Sequence, residues 1–586
     1  MSSTFAYPLP IGYQNLINSL TKHMLKDVVS CLSRRKQLLF SLVKEGIKKY
    51  LPYHRLRVNI VLLMFLGTVF LVATTFKKQI VVLLAGLAVF GVILLIPTPD
   101  GLTLIGQRML AVTALMAIWW IGEGTSLAVT ALLPLVLFPV LGILPSKLVA
   151  PNYANHLIFL FLGGFMIALA MEKWNFHKRL ALWIIFAIGT RPQHLVLGFM
   201  TATAFLSMWI SNTASTMMMF PVAMAVVRQI ALDASLDGVK NSETQKAIEQ
   251  GLGLVLMLGL AYSASIGGVG TLVGTAPNIV FVGFYKKLFP ENPEITFFQW
   301  MVMAIPVVMV FIPIVWMYLC RVVSPFPLKN ISAGSDEIIQ RELDDLGSMT
   351  RAEKTVATVF CLTAFLWIFR QPISLGEFVL PGWSGLFAHP EYLHDSTVAM
   401  AMGVLLMILP VDGNAGQDLN GKREFFVLDW KTVQEKIPWG VLLLFGGGFA
   451  LAGGFGASGL DAWIGSKLTG VAGWPLWCVV LSICLGITFL TELTSNTATT
   501  TMILPILGVS AVAVNIHPLL FMVPATLAAS FAFMLPVATP PNAIVFGSGW
   551  VTIPQMSRSG FALNFVGAVI VTIAVLLLVE SLFISP

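Results

Sequence analysis

Long apolar runs separated by short polar stretches fill the chain from residue 58 to its end. The runs at 58–76, 79–97, 108–122, 126–144, 156–172, 299–320, 353–370, 396–410, 439–455 and 560–584 are continuously apolar. They lack the alternation of apolar and polar positions that marks membrane barrel strands. They approach the roughly 20 residues a helix needs to cross a bilayer, so the pattern predicts spanning helices. Four longer runs are interrupted. Segments 194–227 and 472–512 carry Ser211-Asn212-Thr213 and Ser495-Asn496-Thr497 in their middles, and 251–285 and 518–550 are broken by Gly and Pro.

These interruptions repeat. Gly163-Gly164-Phe165 matches Gly447-Gly448-Phe449, and the two Ser-Asn-Thr triplets match at the same offset of 284 residues. Between 211–221 and 495–505, seven of eleven positions are identical, ending in Pro221 and Pro505. Packing alone does not keep a gapless offset through polar residues. Further on, Val273-Gly274-Thr275-Ala276-Pro277-Asn278 matches Val537-Ala538-Thr539-Pro540-Pro541-Asn542, the offset falling to 264 because the first half has the longer polar loop at 229–250.

Five crossings separate the two triplet segments if each enters and leaves by one face. An odd number inverts the second copy, giving inverted repeats with interrupted helices and a site near the bilayer midplane. Starting 79–97 inside, the inner loops after residue 97 hold seventeen Lys and Arg and the outer loops six, with span-end residues given to the nearer loop. That bias agrees with the positive-inside rule and puts the C-terminus outside. Residues 1–57 form a basic tail with ten Lys and Arg: if the extra apolar helix 58–76 also crosses, this tail lies outside, against the same rule, whereas if 58–76 lies along the interface or enters partway, the tail is cytoplasmic, which is the expected arrangement.

Composition agrees with the pattern. Of 586 residues, 57% are hydrophobic and 11% charged, against about 25% charged in soluble domains. The +7 formal charge comes from span ends and tail, which signals membrane orientation rather than nucleic acid. Five cysteines show no paired or metal-ligand spacing, and no removable signal peptide is visible. No His-Glu-x-x-His, Gly-x-Ser-x-Gly or Gly-rich phosphate loop with Lys occurs, so a membrane enzyme is not expected. The histidines sit mostly at span ends and in loops, form no metal-ligand pair, and read as interfacial residues.

Polar groups at membrane depth are costly unless satisfied. The triplets suit the tips of re-entrant helical hairpins, and the Gly-Thr-Ala-Pro-Asn and Ala-Thr-Pro-Pro-Asn stretches suit unwound points inside spans, because proline removes a helix donor. Hydroxyl, amide and freed carbonyl oxygens can replace the hydration of a monovalent cation such as Na+. Amide and hydroxyl donors with helix N-termini can hold an oxyanion. None of the four stretches contains Lys or Arg, so a bound dianion needs the cations as counter-charge, which is a physical reason for coupling. Glu123 and Glu492, beside or within apolar runs, are read as acids paired at helix ends, with an ion or proton role as the alternative.

Ser207-x-x-x-Ser211-Asn212-Thr213, Thr491-x-x-x-Ser495-Asn496-Thr497, Gly274-Thr275-Ala276-Pro277-Asn278 and Leu535-Pro536-Val537-Ala538-Thr539-Pro540-Pro541-Asn542 resemble the divalent anion/sodium symporter family, the INDY-type di- and tricarboxylate carriers. Met116-Ala117-Ile118-Trp119-Trp120 and Trp174-Asn175-Phe176-His177-Lys178-Arg179 look like that family too, and the resemblance covers about 79–586. It implies an all-α polytopic homodimer of eleven spans plus two re-entrant hairpins, in which a transport domain slides against a fixed scaffold. On that scheme 79–172 and 353–455 are scaffold, 194–323 and 472–586 are transport parts, and 324–352 is a cytoplasmic linker. One Na+ site would use Ser207, Ser211, Asn212 and the carbonyl of Gly274. A second would use Thr491, Asn496 and the carbonyls of Thr494 and Ala538. Substrate carboxylates would meet Asn212, Thr213, Thr275, Ser495, Asn496, Thr497 and Thr539. The implied activity is Na+-coupled symport of C4-dicarboxylates, with citrate next, across the plasma or bacterial inner membrane and without an organic cofactor. A dicarboxylate exchanger or sulfate carrier of the same family is the alternative, and an anion channel a remoter one.

Overall fold

A computed structural model describes residues 78–189, 191–236, 248–323, 335–375, 378–411, 425–467 and 473–584. The basic tail and the 58–76 segment, with their expected placements, lie outside these residues. Among the described residues nine helices are long and apolar enough to cross a membrane, accompanied by four shorter apolar helices.

The chain opens with α1 (Lys78–Leu95), α2 (Leu104–Gly122), α3 (Leu127–Val140) and α4 (His156–Lys173). After α5 (Phe176–Ile188) comes a hairpin of α6 (Pro192–Ser207) and α7 (Asn212–Leu236). A broken crossing follows, α8 (Leu254–Gly268) and α9 (Ala276–Leu288), then α10 (Phe297–Tyr318). The linker forms α11 (Ser335–Asp345), and α12 (Arg351–Ile368), α13 (Asp395–Ile408), α14 (Trp430–Lys436), α15 (Trp439–Ser458) and α16 (Leu460–Lys467) lead into the second copy. That copy has a hairpin of α17 (Leu476–Thr491) and α18 (Asn496–Ala513), a broken crossing of α19 (Leu519–Ala529) and α20 (Pro540–Phe546), and α21 (Ile553–Ala574). Each broken pair counts as one crossing. The eleven crossings are then α1, α2, α3, α4, α8–α9, α10, α12, α13, α15, α19–α20 and α21, with two hairpins. An antiparallel β-hairpin, Ile373–Leu375 with Phe378–Leu380, sits in the loop between α12 and α13 and was not expected from the apolar pattern.

The repeated motifs account for the local geometry. Thr275 (φ −143°, ψ 146°) and Thr539 (φ −140°, ψ 151°) hold nearly identical extended backbone before α9 and α20. Prolines follow in the first turn of each helix, where a missing N–H costs nothing. The Gly-Gly-Phe copies make close helix crossings. A Cβ on Gly163 would lie 2.4 Å from the Ala399 carbonyl carbon, and one on Gly447 would lie 2.5 Å from the Ala131 carbonyl oxygen. Hydrogen therefore lets α4 meet α13 and α15 meet α3 nearly backbone to backbone, the usual way membrane helices gain packing without a hydrophobic drive.

The Trp174–Arg179 motif is an anchor. Asn175 turns the chain at φ 58°, Trp174 Nε1 donates to the Val427 carbonyl at 2.7 Å, and Lys178 pairs with Glu342 at 2.7 Å. Buried Arg179 donates to both carboxylate oxygens of Glu353, at 2.5 and 3.2 Å, and to the carbonyls of Gly347 and Leu346. Removing one member of such a pair strands a buried charge, at about 3–5 kcal/mol, whereas replacing both by apolar groups of similar size can be neutral. Arg179→Ala is therefore expected to lower the thermal unfolding temperature in detergent clearly, and Arg179→Met with Glu353→Leu to recover most of it; equal losses would contradict the stranded-charge account.

Candidate functional site

Each triplet sits where one helix stops and another starts. α6 ends at Ser207 and α7 begins at Asn212; α17 ends at Thr491 and α18 begins at Asn496. Ser211 Oγ caps α7 by accepting from the Ala214 N–H at 3.2 Å. The helices that start at the motifs pack across the repeats, α7 on α20 and α18 on α9. Four helix N-termini, whose free N–H groups favour anions, thus belong to one packed assembly.

The same oxygen cluster occurs twice. Ser207 Oγ lies 2.6 Å from Asn212 Oδ1 and 2.7 Å from the Ala264 carbonyl oxygen. Thr491 Oγ1 lies 2.6 Å from Asn496 Oδ1 and 3.0 Å from the Ala529 carbonyl oxygen. A hydroxyl has one proton, so it can donate to only one of its two neighbours. Three oxygens crowded around one proton favour a cation. Gly274 adds to the first cluster: a Cβ there would lie 2.5, 2.8 and 3.0 Å from the carbonyl oxygens of Gly268, Ser207 and Met208. Three carbonyls converge on a space that any side chain would fill.

The remaining site residues divide by their bonding. Among the described residues the hydroxyls of Thr213, Thr275, Ser495 and Thr497 make no hydrogen bond, and all four residues are half-buried. They are free to meet a guest. Thr539 is different: its Oγ1 accepts from the Asn542 N–H at 3.3 Å and it is buried. Thr494 bonds back to the Leu490 carbonyl at 2.9 Å and touches Thr499 at 2.5 Å, so its side chain is already engaged. Ala538 N–H donates to the Leu535 carbonyl at 3.2 Å.

Sequence reading left the support of the breaks unassigned. Asn278 Nδ2 donates to the carbonyls of Thr271 at 2.6 Å and of Gly268 and Val269 at 3.3 Å. Its counterpart Asn542 donates to Ala532 and Leu535, both at 3.0 Å. The asparagine closing each copied stretch therefore reaches back and holds the carbonyls that the break freed. Thr271 Oγ1 donates to the Met208 carbonyl. In the second copy Glu492 accepts from the N–H groups of Phe533, Met534 and Leu535 at 2.7, 2.9 and 3.1 Å and from Asn564 Nδ2 at 2.8 Å. Glu492 caps the end of α17 as an acid fully engaged in hydrogen bonds, whereas Glu123 is exposed in a left-handed turn after α2. Four buried polar atoms stay without a protein partner at matching places, Ser265 Oγ with Asn278 Oδ1 and Ser530 Oγ with Asn542 Oδ1. Such atoms are normally satisfied by water or an ion.

The reading of the histidines as separate interfacial residues is corrected at one place. His156 and His394 meet edge to face, ring centroids 4.3 Å apart, and His394 Nε2 lies 3.2 Å from Glu294 Oε2. Their distance in sequence hid this contact.

Residues 77–584 match the family model described as "Sodium:sulfate symporter transmembrane region". The chain is similar to the sodium-dependent dicarboxylate transporter SdcS of Staphylococcus saprophyticus subsp. saprophyticus, 43% identical over 501 residues that cover 86% of this chain and 91% of the relative. It is also similar to SdcS of Staphylococcus aureus (strain NCTC 8325 / PS 47), 43% identical over 497 residues, 85% of this chain and 90% of that one. Among solved structures, the YdaH transporter of Alcanivorax borkumensis overlaps 74% of this chain and 87% of its own, with a TM-score of 0.46 and 11% identity. A likeness this distant bears on neither the site nor its guest.

A cation that binds only the folded chain stabilises it by about 2.7 kcal/mol at a hundredfold excess over its Kd. Wild-type protein in detergent is expected to melt higher in saturating NaCl than in choline chloride, and Gly274→Ala to lose about half of that difference, since the cluster at Thr491 remains. An undiminished Na+ effect in the variant would remove the carbonyl cluster as a cation site.

Proposed function

Because the chain belongs to the divalent anion/sodium symporter family, we propose that it is a secondary active transporter coupling Na+ to the uptake of C4-dicarboxylates such as succinate, malate or fumarate, with citrate the next candidate. The observation that carries this reading is the doubled cluster of three oxygens around one proton, built on Ser207 with Asn212 and on Thr491 with Asn496. The dicarboxylate preference over sulfate is supported by the printed names of the two relatives at 43% identity.

On this reading the first Na+ lies among Ser207, Ser211, Asn212 and the Gly274 carbonyl, and the second among Thr491, Asn496 and the carbonyls of Thr494 and Ala538. The partner-free hydroxyls of Thr213, Thr275, Ser495 and Thr497 then donate to the substrate's carboxylates, together with Asn212 and Asn496. Thr539 joins them as a substrate contact: its Oγ1 accepts from the Asn542 N–H and keeps its own proton to donate. A unit positive charge about 5–6 Å from a carboxylate contributes about 3 kcal/mol at an effective dielectric near 20. That is roughly a hundredfold in affinity per ion. With no Lys or Arg in the four stretches, the ions are the dianion's counter-charge, and by linkage the dianion tightens the ions equally.

Residues 194–323 and 472–586 form the moving part and 79–172 with 353–455 the scaffold of a homodimer, so that transport is an elevator-like displacement. The crossings made by Gly163 with Ala399 and Gly447 with Ala131 support a stiff scaffold, since both join helices assigned to it.

Uptake of labelled succinate, citrate and sulfate into proteoliposomes, with Na+ or choline outside and with or without preloaded anion, tests the reading. Succinate is expected to accumulate with Na+ outside and empty vesicles. Uptake only against preloaded anion would indicate an exchanger. Losing a ligand to a charged guest costs about 1.5–3 kcal/mol, so Asn212→Ala and Asn496→Ala are each expected to reduce Na+-driven uptake by about ten- to a hundredfold in folded protein. Undiminished uptake in either variant would remove that site.

A further inference from the structure

We propose that His156, Glu294 and His394 form a zinc-class transition-metal site on one face of the protein, and that a metal bound there clamps the loop between α9 and α10 to the starts of α4 and α13. The three residues come from distant segments, yet one ligand atom from each lies within 4.8 Å of the others. Zinc takes nitrogen and oxygen ligands at about 2.0–2.2 Å in a tetrahedron, so the cluster must tighten modestly to hold it. His156 is exposed and can turn; Glu294 and His394 are half-buried. The rings stand at 75° to one another, so both can aim a nitrogen at one point, and exposure leaves a position for water. Two imidazoles and a carboxylate suit zinc and its neighbours in the transition series, not magnesium or calcium, which take oxygen ligands.

Two features oppose the metal, both weakly. His394 Nδ1 accepts from the Ser396 N–H at 3.3 Å, so a metal on Nε2 must shift the ring proton to Nδ1 and surrender that long cap. Lys286 lies near the cluster, but its ammonium donates to the carbonyls of Pro290 at 3.0 Å and Asn292 at 3.3 Å.

The clamp rests on the assignment of 194–323 to the moving part. Glu294 lies in the loop of that part, whereas His156 and His394 stand at the starts of the scaffold helices α4 and α13. The start of α10, just after the loop, also touches α13, through the Phe297 N–H donating to Asp395 Oδ2 at 3.3 Å. Without metal this junction is held by ordinary polar contacts that a transport cycle can break. A metal sharing ligands from both sides would hold it shut. The charge count puts all three residues on the outer face, open to metal from outside.

The test uses the full chain. Calorimetric titration of purified protein with ZnCl2 is expected to show one low-micromolar equivalent, weakened about tenfold or more in His156→Ala and Glu294→Gln, since even supporting partners of metal ligands are worth that much. His156 is exposed and caps nothing, so its variant keeps the fold. In proteoliposomes, external ZnCl2 should slow Na+-driven succinate uptake in the wild type, EDTA should restore it, and His156→Ala should resist. Unchanged zinc affinity in both variants overturns the site, and saturated zinc that leaves uptake unchanged overturns the clamp. Absence of succinate uptake even in EDTA would instead be a failure of the transport reading, and the calorimetry would still decide the metal.

Discussion

A helix that stops inside a membrane must find partners for the backbone groups it frees, and most of this structure's central architecture answers that demand. Asn278 and Asn542 hold the carbonyls of the two breaks. Thr271 and Trp300 take up other carbonyls, Trp300 by donating to the Val269 carbonyl at 2.9 Å, and Glu492 accepts from freed N–H groups. What these residues leave over is selective. Around Ser207 and Thr491 the surplus is oxygen without protons, and at the half-buried ends of the triplets it is hydroxyls without partners. The binding capacity of the site is the part of the backbone and side-chain polarity that the protein does not satisfy internally.

The two copies keep the same ligand pattern on different supports. Position 208 is methionine and position 492, its counterpart at the 284-residue offset, is glutamate. In the first copy the Met208 carbonyl receives the Thr271 hydroxyl, and glycines let strands of backbone approach directly. In the second the Glu492 carboxylate gathers three consecutive N–H groups and Asn564 of the last helix. The first break is thus shaped by missing side chains and the second by a side chain that reaches in. The two copies keep the same oxygens around Ser207 and Thr491 and differ in what supports each.

Outside the site, charge is placed where helices end. Lys173 pairs with Asp429 at 2.9 Å, Lys436 with Glu172 at 2.9 Å and Arg179 with Glu353, all among residues that the alternation of spans puts on one face. Arg370 pairs with Asp395 at 2.5 Å near the opposite ends. Exposed pairs of this kind add little, while the buried ones fix geometry because neither charge can be left alone. Asp395 shows the economy of such a group: it binds Arg370 through one oxygen and the first N–H of α10 through the other.

The sequence by itself determined the membrane class, the count of crossings, the doubling and inversion, and the triplets as the polar centre. These are legible because the bilayer enforces length and apolarity locally and because a duplicated motif carries its own internal comparison. It also marked Gly274 and the residues after it as a break, since proline and glycine act on their own backbone. Only the tertiary structure decided what each polar residue binds. Ser207 meets Ala264, Asn542 folds back on its own break, Glu492 reaches a loop some forty positions on, and His156 finds His394 and Glu294. Long apolar helices look alike in sequence whichever neighbour they pack against, so contacts made across them leave no local pattern to read.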